Sequence, residues 1–115
     1  MTLFTTPILF LVFNRPDTTQ HVFNAIKQVK PKHLFVAADG PRLHRQGEAE
    51  KCEAVRSIIH QINWDCELKM LFREENLGCK LAVSSAITWF FEHVEQGIIL
   101  EDDCLPDLSF FPYLD

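Results

Sequence analysis

Three consecutive carboxylates, Glu101, Asp102 and Asp103, directly follow the apolar run Ile98–Leu100. Carboxylates clustered at the end of a buried strand repel one another and lose hydration, so they are costly unless a cation or hydrogen-bond donors compensate. Oxygen ligands suit hard divalent ions such as Mg²⁺ or Mn²⁺, and such an ion can join a carboxylate to a diphosphate. We therefore expect a metal and diphosphate site here. The alternative is that these acids cap the next segment or face water.

Polar residues also follow the three earlier apolar runs. They are Asn14 and Arg15 after the first run, Asp39 after the second, and the segment Arg73–Gly78 after the third. Ligands of open parallel sheets bind where the carboxyl ends of the strands converge, so all four groups are candidates for one site.

Each of these residues has a functional and a structural interpretation. Asp39 suits hydrogen bonds from a nucleobase N–H or a ribose hydroxyl, but Asp-Gly is also an ordinary turn. The planar fork of Arg15 suits a base or a phosphate, although a solvated arginine at a helix start is equally consistent. Lys80 is placed to reach a phosphate from the first turn of a helix, or is a surface lysine.

The elements that must position these residues alternate along the chain. Apolar runs at Pro7–Phe13, Leu34–Ala38, Glu67–Phe72 and Ile98–Leu100 predict four strands, the third nearer an edge because its apolar and polar residues alternate. Helical spacing of apolar residues between them predicts three helices. In the last helix, the predicted apolar stripe includes Ala86, Phe90 and His93. The order β-α-β-α-β-α-β predicts an α/β fold with a mostly parallel, Rossmann-like sheet of about four strands flanked by helices.

Composition limits the class of protein. The 115 residues suit one domain, and 47% hydrophobic residues with ten Phe suffice for a packed core. A net charge of −5 argues against a nucleic-acid surface. We found neither a signal peptide nor a membrane span, so a soluble, cytoplasmic protein is expected. The four cysteines lack C-x-x-C spacing and are expected to be reduced thiols that behave as small apolar residues. No G-x-G-x-x-G, P-loop or G-x-S-x-G motif is present.

Together these motifs resemble the family 2-like glycosyltransferases of the GT-A fold, within the nucleotide-diphospho-sugar transferase superfamily. The similarity lies in Phe13-Asn14-Arg15-Pro16, Ala38-Asp39-Gly40, Glu75-Asn76-Leu77-Gly78 and Leu100-Glu101-Asp102-Asp103, which occur in that family's order. The Glu-Asp-Asp form, a DXD-like motif, also resembles animal enzymes that add N-acetylglucosamine to mannose-bearing glycans. The resemblance covers nearly the whole chain.

The resemblance implies a role for each matching residue. Phe13 and Arg15 would hold the base, Asp39 would bind uracil or ribose, and Asn76 and Lys80 would lie near the nucleotide and its phosphates. Asp102 would contact ribose or a metal-bound water, Asp103 would ligate Mn²⁺ or Mg²⁺, and Glu101 would contact the sugar or the metal's water shell. The implied reaction transfers a sugar from a UDP-sugar to a glycan or another hydroxyl acceptor.

The chain departs from the family pattern after the acidic triplet. The acceptor-binding half, with the general base of inverting enzymes, does not follow, so residues 1–115 are expected to be a nucleotide-binding half that is inactive alone and contains no catalytic residue. One alternative is a non-catalytic α/β module that forms homo-oligomers, because Phe90, Phe91, Phe110 and Phe111 are more aromatic surface than a short chain readily buries. A sugar-phosphate nucleotidyltransferase is disfavoured, because Asn14–Asp17 is not a Gly-rich, basic loop.

Overall fold

The computed structural model describes residues 4–102, and its elements follow the predicted alternation. In chain order they are β1 (Ile8–Val12), α1 (Pro16–Val29), β2 (His33–Ala38), α2 (Glu48–Ile58) with the short 3-10 helix Ile59–Gln61, β3 (Glu67–Phe72), α3 (Cys79–Phe91) and β4 (Ile98–Glu101). Asp103, Phe110 and Phe111 lie outside the described residues.

The four strands form one parallel sheet in the order β3-β2-β1-β4. In its register Leu11 lies opposite Ala37 on one side and Glu101 on the other. The predicted α/β class with a parallel, Rossmann-like sheet is therefore confirmed. Because β1 is central, the chain winds outward to β3 and then crosses back to β4, which creates a switch point between β1 and β4.

Helices cover both faces of this sheet because the central strands are apolar on both faces. On one face Ile8, Phe10 and Val12 pack with buried residues of α1 and α2, including Phe23 and Val55. On the other face the alternate residues of the strands pack against α3. They form a second cluster, which consists of Leu9, Leu11, Phe35, Ala37, Ala86 and Phe90. The carboxyl ends of all four strands consequently meet at one rim, between two helical layers.

Local sequence explains the limits of α1. Pro16 occupies the first helical position, where the absent N–H has no intrahelical partner in any case. The helix ends at Val29 and is capped by Lys30, which adopts a left-handed conformation (φ 54°) and donates its backbone N–H to the Ile26 carbonyl. These ends direct the chain from the carboxyl end of β1 back to the start of β2.

The two outer strands are less enclosed. The edge position predicted for β3 is confirmed. The prediction of a buried fourth strand over Ile98–Leu100 is correct for Leu100 and wrong for Ile99, which is 38% exposed, while Ile98 is half-buried. Strand β4 pairs only with β1 within residues 4–102, so its far edge is uncovered in this part of the chain.

Three individual predictions need correction. Phe90, assigned both to the apolar stripe of the last helix and to the excess aromatic surface, is fully buried between α3 and the sheet, so the surface assignment is wrong for it, whereas Phe91 is 43% exposed as expected. His93 was expected in the core but lies exposed beyond the end of the helix, with Nδ1 2.9 Å from the Trp89 carbonyl oxygen. Cys79 is an exposed thiol rather than a buried apolar residue, because it begins α3 at the rim of the sheet.

The structure also describes two other cysteines and the helices that were examined for membrane spans. Cys52 is a buried free thiol and Cys66 a half-buried one. Burial raises the pKa of both thiols above their ordinary value. None of the helices in the described part of the chain is long and apolar enough to cross a membrane.

Candidate functional site

A cleft of about 230 Å³ opens at the carboxyl ends of β1 and β2, beside the start of α3. Its apolar wall includes Leu11, Ala37, Ala82 and Val83, and its polar lining includes Asp39, Arg42, Arg73 and Asn76. A mostly apolar cleft with a few convergent polar groups is typical of small-molecule sites. It lies at the rim that the strand ends predicted.

Asp39 directly follows β2 at the rim of the sheet and is 8% exposed. Its Oδ1 accepts hydrogen bonds from the backbone N–H groups of Gly40 (2.9 Å) and Leu77 (2.8 Å). Its Oδ2 accepts from Asn76 Nδ2 (3.1 Å) and from the Gly78 N–H (3.2 Å). This carboxylate thus joins the loop after β2 to the loop after β3.

The loop after β3 depends on glycine where it enters α3. Gly78 precedes the helix with φ 87° and ψ 152°, a conformation that is essentially restricted to glycine. Asn76 adds a second link across the rim, because its Nδ2 also donates to the Gly40 carbonyl at 2.8 Å. Both residues line the cleft. The motif that suggested a nucleotide site therefore forms one wall of the cavity.

Arg42 and Glu48 form an ion pair beside the cleft, on the segment between β2 and α2. Glu48 Oε2 accepts from Arg42 Nε (3.0 Å) and from its backbone N–H (2.7 Å), while Oε1 lies 2.6 Å from Arg42 Nη2. Asn14 Nδ2 donates to Oε1 at 2.9 Å. Hydrogen bonding by Arg42 is the main cause that lowers the pKa of Glu48 to about 2. The ion pair holds the Arg42 guanidinium 5.7 Å from the ring centre of Phe13.

Arg73 presents a second guanidinium to the cleft. Its backbone N–H donates to the Ala38 carbonyl at 3.0 Å, and its Nη2 donates to Ser85 Oγ at 2.9 Å. No carboxylate oxygen within residues 4–102 lies within 4.0 Å of this guanidinium. Arg73 therefore contributes positive charge that no local acid pairs with, which favours an anionic ligand.

Arg56, on α2, links the backbone segments that follow β2 and β3 at the rim. Its Nη2 donates to the carbonyl oxygens of Asp39 (3.2 Å) and Arg73 (2.7 Å), and its guanidinium lies over the Phe72 ring at 5.0 Å. The Nε of Arg56 is buried and has no hydrogen-bond partner. The backbones that follow β2 and β3 are thus held together by one side chain of α2.

Comparison of the chain with protein-family models, curated proteins and solved structures gave no match.

The switch point between β1 and β4 adjoins the cleft. Asn14 and Arg15 follow β1, and Glu101 is the last residue of β4, paired with Leu11. Asp102 follows it and is half-buried, whereas Arg15 and Glu101 are exposed. Asp103, the predicted direct metal ligand, lies outside the described residues. In residues 4–102 there is no group of three or more His, Cys, Asp or Glu side chains arranged for a metal. The donors present here, the carboxylates of Glu101 and Asp102, are of the oxygen type that Mg²⁺ and Mn²⁺ prefer.

The structure brings together only some of the predicted site residues. Phe13, Asp39 and Asn76 line the cleft, whereas Lys80, exposed in the first turn of α3, does not, and neither do Arg15, Glu101 and Asp102. Sequence reasoning missed Arg42, Glu48 and Arg56. The available signal was weak: Glu48 is an acid in the first turn of a helix, a position that acids often occupy without a specific partner.

Proposed function

We propose that this chain is the nucleotide-binding part of a metal-dependent glycosyltransferase whose donor is a nucleotide-diphospho-sugar, most specifically a UDP-sugar. The observation that carries the proposal is the pairing of β1 with β4, in which Leu11 lies opposite Glu101. This register brings the Asp102 end of β4 next to the Phe13 end of β1, at the switch point where parallel sheets bind nucleotides. The acceptor in this proposal is a glycan or another hydroxyl-bearing molecule.

The cleft has the chemistry that a nucleotide needs. The apolar wall and Phe13 suit the faces of a base, and the guanidinium groups of Arg42 and Arg73 suit stacking and negative charge. Arg42 is already paired with Glu48, whereas no carboxylate of residues 4–102 forms an ion pair with Arg73, so Arg73 is the stronger candidate for an anionic group.

A divalent ion completes the proposed site on the β4 side. Asp102, with Asp103 from outside the described residues, would hold Mn²⁺ or Mg²⁺, and Glu101 would contact its water shell. When bound, the ion would neutralise the charge of the diphosphate leaving group. The residues of the cleft would bind the nucleoside and exclude water from it.

Calorimetric titration of the full chain with UDP, with and without Mn²⁺, tests this proposal. We expect Mn²⁺ to tighten UDP binding in the wild type and to have no effect in the double variant Asp102→Asn, Asp103→Asn. Asp65→Asn is the matched control, because Asp65 is exposed and precedes β3 at the opposite end of the sheet. Equal UDP affinity with and without Mn²⁺ in the wild type, or an unchanged Mn²⁺ effect in the double variant, would contradict the metal site.

A second candidate function, a self-associating module, is favoured by exposed apolar residues. Leu81 is 55% exposed, Phe91 43% and Ile99 38%, and Ile99 lies on the outer strand β4. An open edge strand with an apolar residue promotes pairing between chains. Light scattering at increasing protein concentration tests this: a dimer that Ile99→Lys dissociates supports the module, and a monomer at all concentrations refutes it.

A further inference from the structure

We infer that Asp39 is a positioning residue of the cleft and does not itself contact the base of a bound nucleotide. The inference builds on the proposed function and differs from the role that the family resemblance implies for this residue. It follows from the hydrogen bonds of the carboxylate, from its burial, and from the part of the cleft that those bonds organise.

The acceptor capacity of the Asp39 carboxylate is filled by the protein. An ionised carboxylate offers about four lone-pair directions. Oδ1 accepts from the N–H groups of Gly40 (2.9 Å) and Leu77 (2.8 Å), and Oδ2 from Asn76 Nδ2 (3.1 Å) and the Gly78 N–H (3.2 Å). With the residue 8% exposed, a base N–H would have to displace one of these donors. The displaced backbone N–H would then be left unpaired, which is unfavourable in a buried setting.

These bonds order the loop that forms a wall of the cleft. Leu77 and Gly78 each direct a backbone N–H at Asp39, and Asn76 spans from Asp39 to the Gly40 carbonyl (2.8 Å). Gly78 then leads into α3, whose first residue, Cys79, also lines the cleft. The effect of Asp39 on a ligand is therefore transmitted through the shape and position of residues 76–79.

This role has a consequence for base selectivity. The N3 atom of uracil carries a hydrogen and donates, whereas N3 of cytosine accepts. A carboxylate that contacts N3 directly favours uracil, and its replacement by an amide alters the preference between the two bases. A carboxylate that only positions a loop leaves that preference unchanged, because both nucleotides use the same wall.

Calorimetry with UDP and with CDP, both in the presence of Mn²⁺, distinguishes the two roles. For Asp39→Asn we expect binding of both nucleotides to weaken by about tenfold, with the ratio of their Kd values within about twofold of wild type. Asn76→Ala should weaken the binding of both nucleotides in the same way. The double variant should bind each nucleotide at most about twofold more weakly than Asp39→Asn does, because the two residues act as one unit. Asp65→Asn serves as the control with wild-type affinity. A change of more than about fivefold in the UDP-to-CDP ratio of Asp39→Asn overturns the inference.

Amide hydrogen exchange provides a test that needs no nucleotide. We expect the Leu77 and Gly78 amides to exchange at least about tenfold faster in Asp39→Asn than in wild type, while amides of the central strand β1 keep their protection. Unchanged exchange at both amides overturns the inference. Faster exchange together with no nucleotide binding by the wild type supports the ordering role and overturns the proposed function instead, so the two failures are distinguishable. If Asp39→Asn does not fold, Asn76→Ala tests the ordering of the loop through the side-chain partner of Asp39. We expect it to weaken UDP and CDP binding equally, and unchanged binding of both nucleotides overturns the inference.

Discussion

Arg42 and Glu48 form a two-pronged ion pair across the segment that leads from β2 into α2. Nε and Nη2 of Arg42 each contact a different oxygen of Glu48, at 3.0 and 2.6 Å. Paired, charge-assisted hydrogen bonds of this kind fix the orientation of the guanidinium as well as its position. The Glu48 side chain is 6% exposed, so the orientation of Arg42 beside the cleft is set from inside the protein.

The first prediction concerns the pH dependence of stability. The pKa of Glu48 falls from its ordinary value of 4.5 to about 2, mainly because the Arg42 side chain hydrogen-bonds its charged form. A lowered carboxyl pKa contributes stability above the unfolded-state value, and that stability is lost as the pH falls through the folded-state value. We therefore expect Glu48→Gln to lower the free energy of unfolding near neutral pH, and the difference from wild type to shrink between about pH 4.5 and about pH 2.

Urea unfolding at a series of pH values measures this difference. Glu50→Gln is the control, because Glu50 lies in the same first turn of α2 but is exposed. We expect the control to follow the wild type throughout. A Glu48→Gln effect that is the same near pH 7 as near pH 2 would show that the ion pair does not account for the stabilisation.

A second prediction concerns Arg73 as the charge that recognises an anionic ligand. Its guanidinium lines the cleft and its only described side-chain partner is the neutral Ser85. A hydrogen bond to a charged group contributes about 1.5–3 kcal/mol. We expect Arg73→Gln to weaken UDP binding by about tenfold to a hundredfold, with a larger effect at low ionic strength. Calorimetry with Arg45→Gln as control checks this, since Arg45 is exposed and does not line the cleft; equal losses in both variants would refute it.

The fold was largely predictable from sequence because its signals are local. The apolar runs mark strands that are covered on both faces, and their alternation with helical patterns permits little except a parallel sheet. The errors occur where burial depends on neighbours distant in sequence. Phe90 and Phe91 look alike in the sequence, but only Phe90 faces the sheet. The run Ile98–Leu100 is as apolar as β1, yet within residues 4–102 strand β4 has a partner on one side only.

The position of the candidate site could be predicted from the sequence, but the contacts of its residues could be predicted only in part. Strand ends identified the rim, because parallel strands bring their carboxyl ends together. The partners of the polar residues were not predictable, because they are distant along the chain: Asp39 bonds to Leu77 and Gly78, and Asn14 to Glu48. Sequence motifs show which groups carry charge and hydrogen-bonding capacity. They do not show whether that capacity is already used within the protein.

A third prediction uses the contrast between two adjacent phenylalanines of α3. Phe90 is fully buried and its ring lies 4.9 Å from that of Phe35, in an edge-to-face arrangement, whereas Phe91 is 43% exposed. Removing a buried Phe side chain costs about 3–5 kcal/mol. We expect Phe90→Ala to lower the free energy of unfolding by about that amount and Phe91→Ala by about 1 kcal/mol or less. Chemical denaturation measures both; similar losses would mean that α3 does not pack on the sheet through Phe90.

The last prediction uses Cys79 as a reporter of cleft occupancy. Its thiol is exposed and lines the cleft, whereas the Cys52 thiol is buried and the Cys66 thiol is half-buried. Burial raises the pKa of the Cys52 and Cys66 thiols. Since the thiolate is the reactive form, both of those thiols should react slowly with an alkylating reagent. In a Cys104→Ser background, which removes the cysteine outside the described residues, we expect Cys79 to be alkylated first. UDP with Mn²⁺ should slow its alkylation without affecting Cys66, as followed by mass spectrometry of peptides. Faster reaction at Cys66 than at Cys79 would contradict the predicted order of reactivity. No effect of UDP at concentrations that saturate binding would show that the nucleotide occupies a site away from the start of α3.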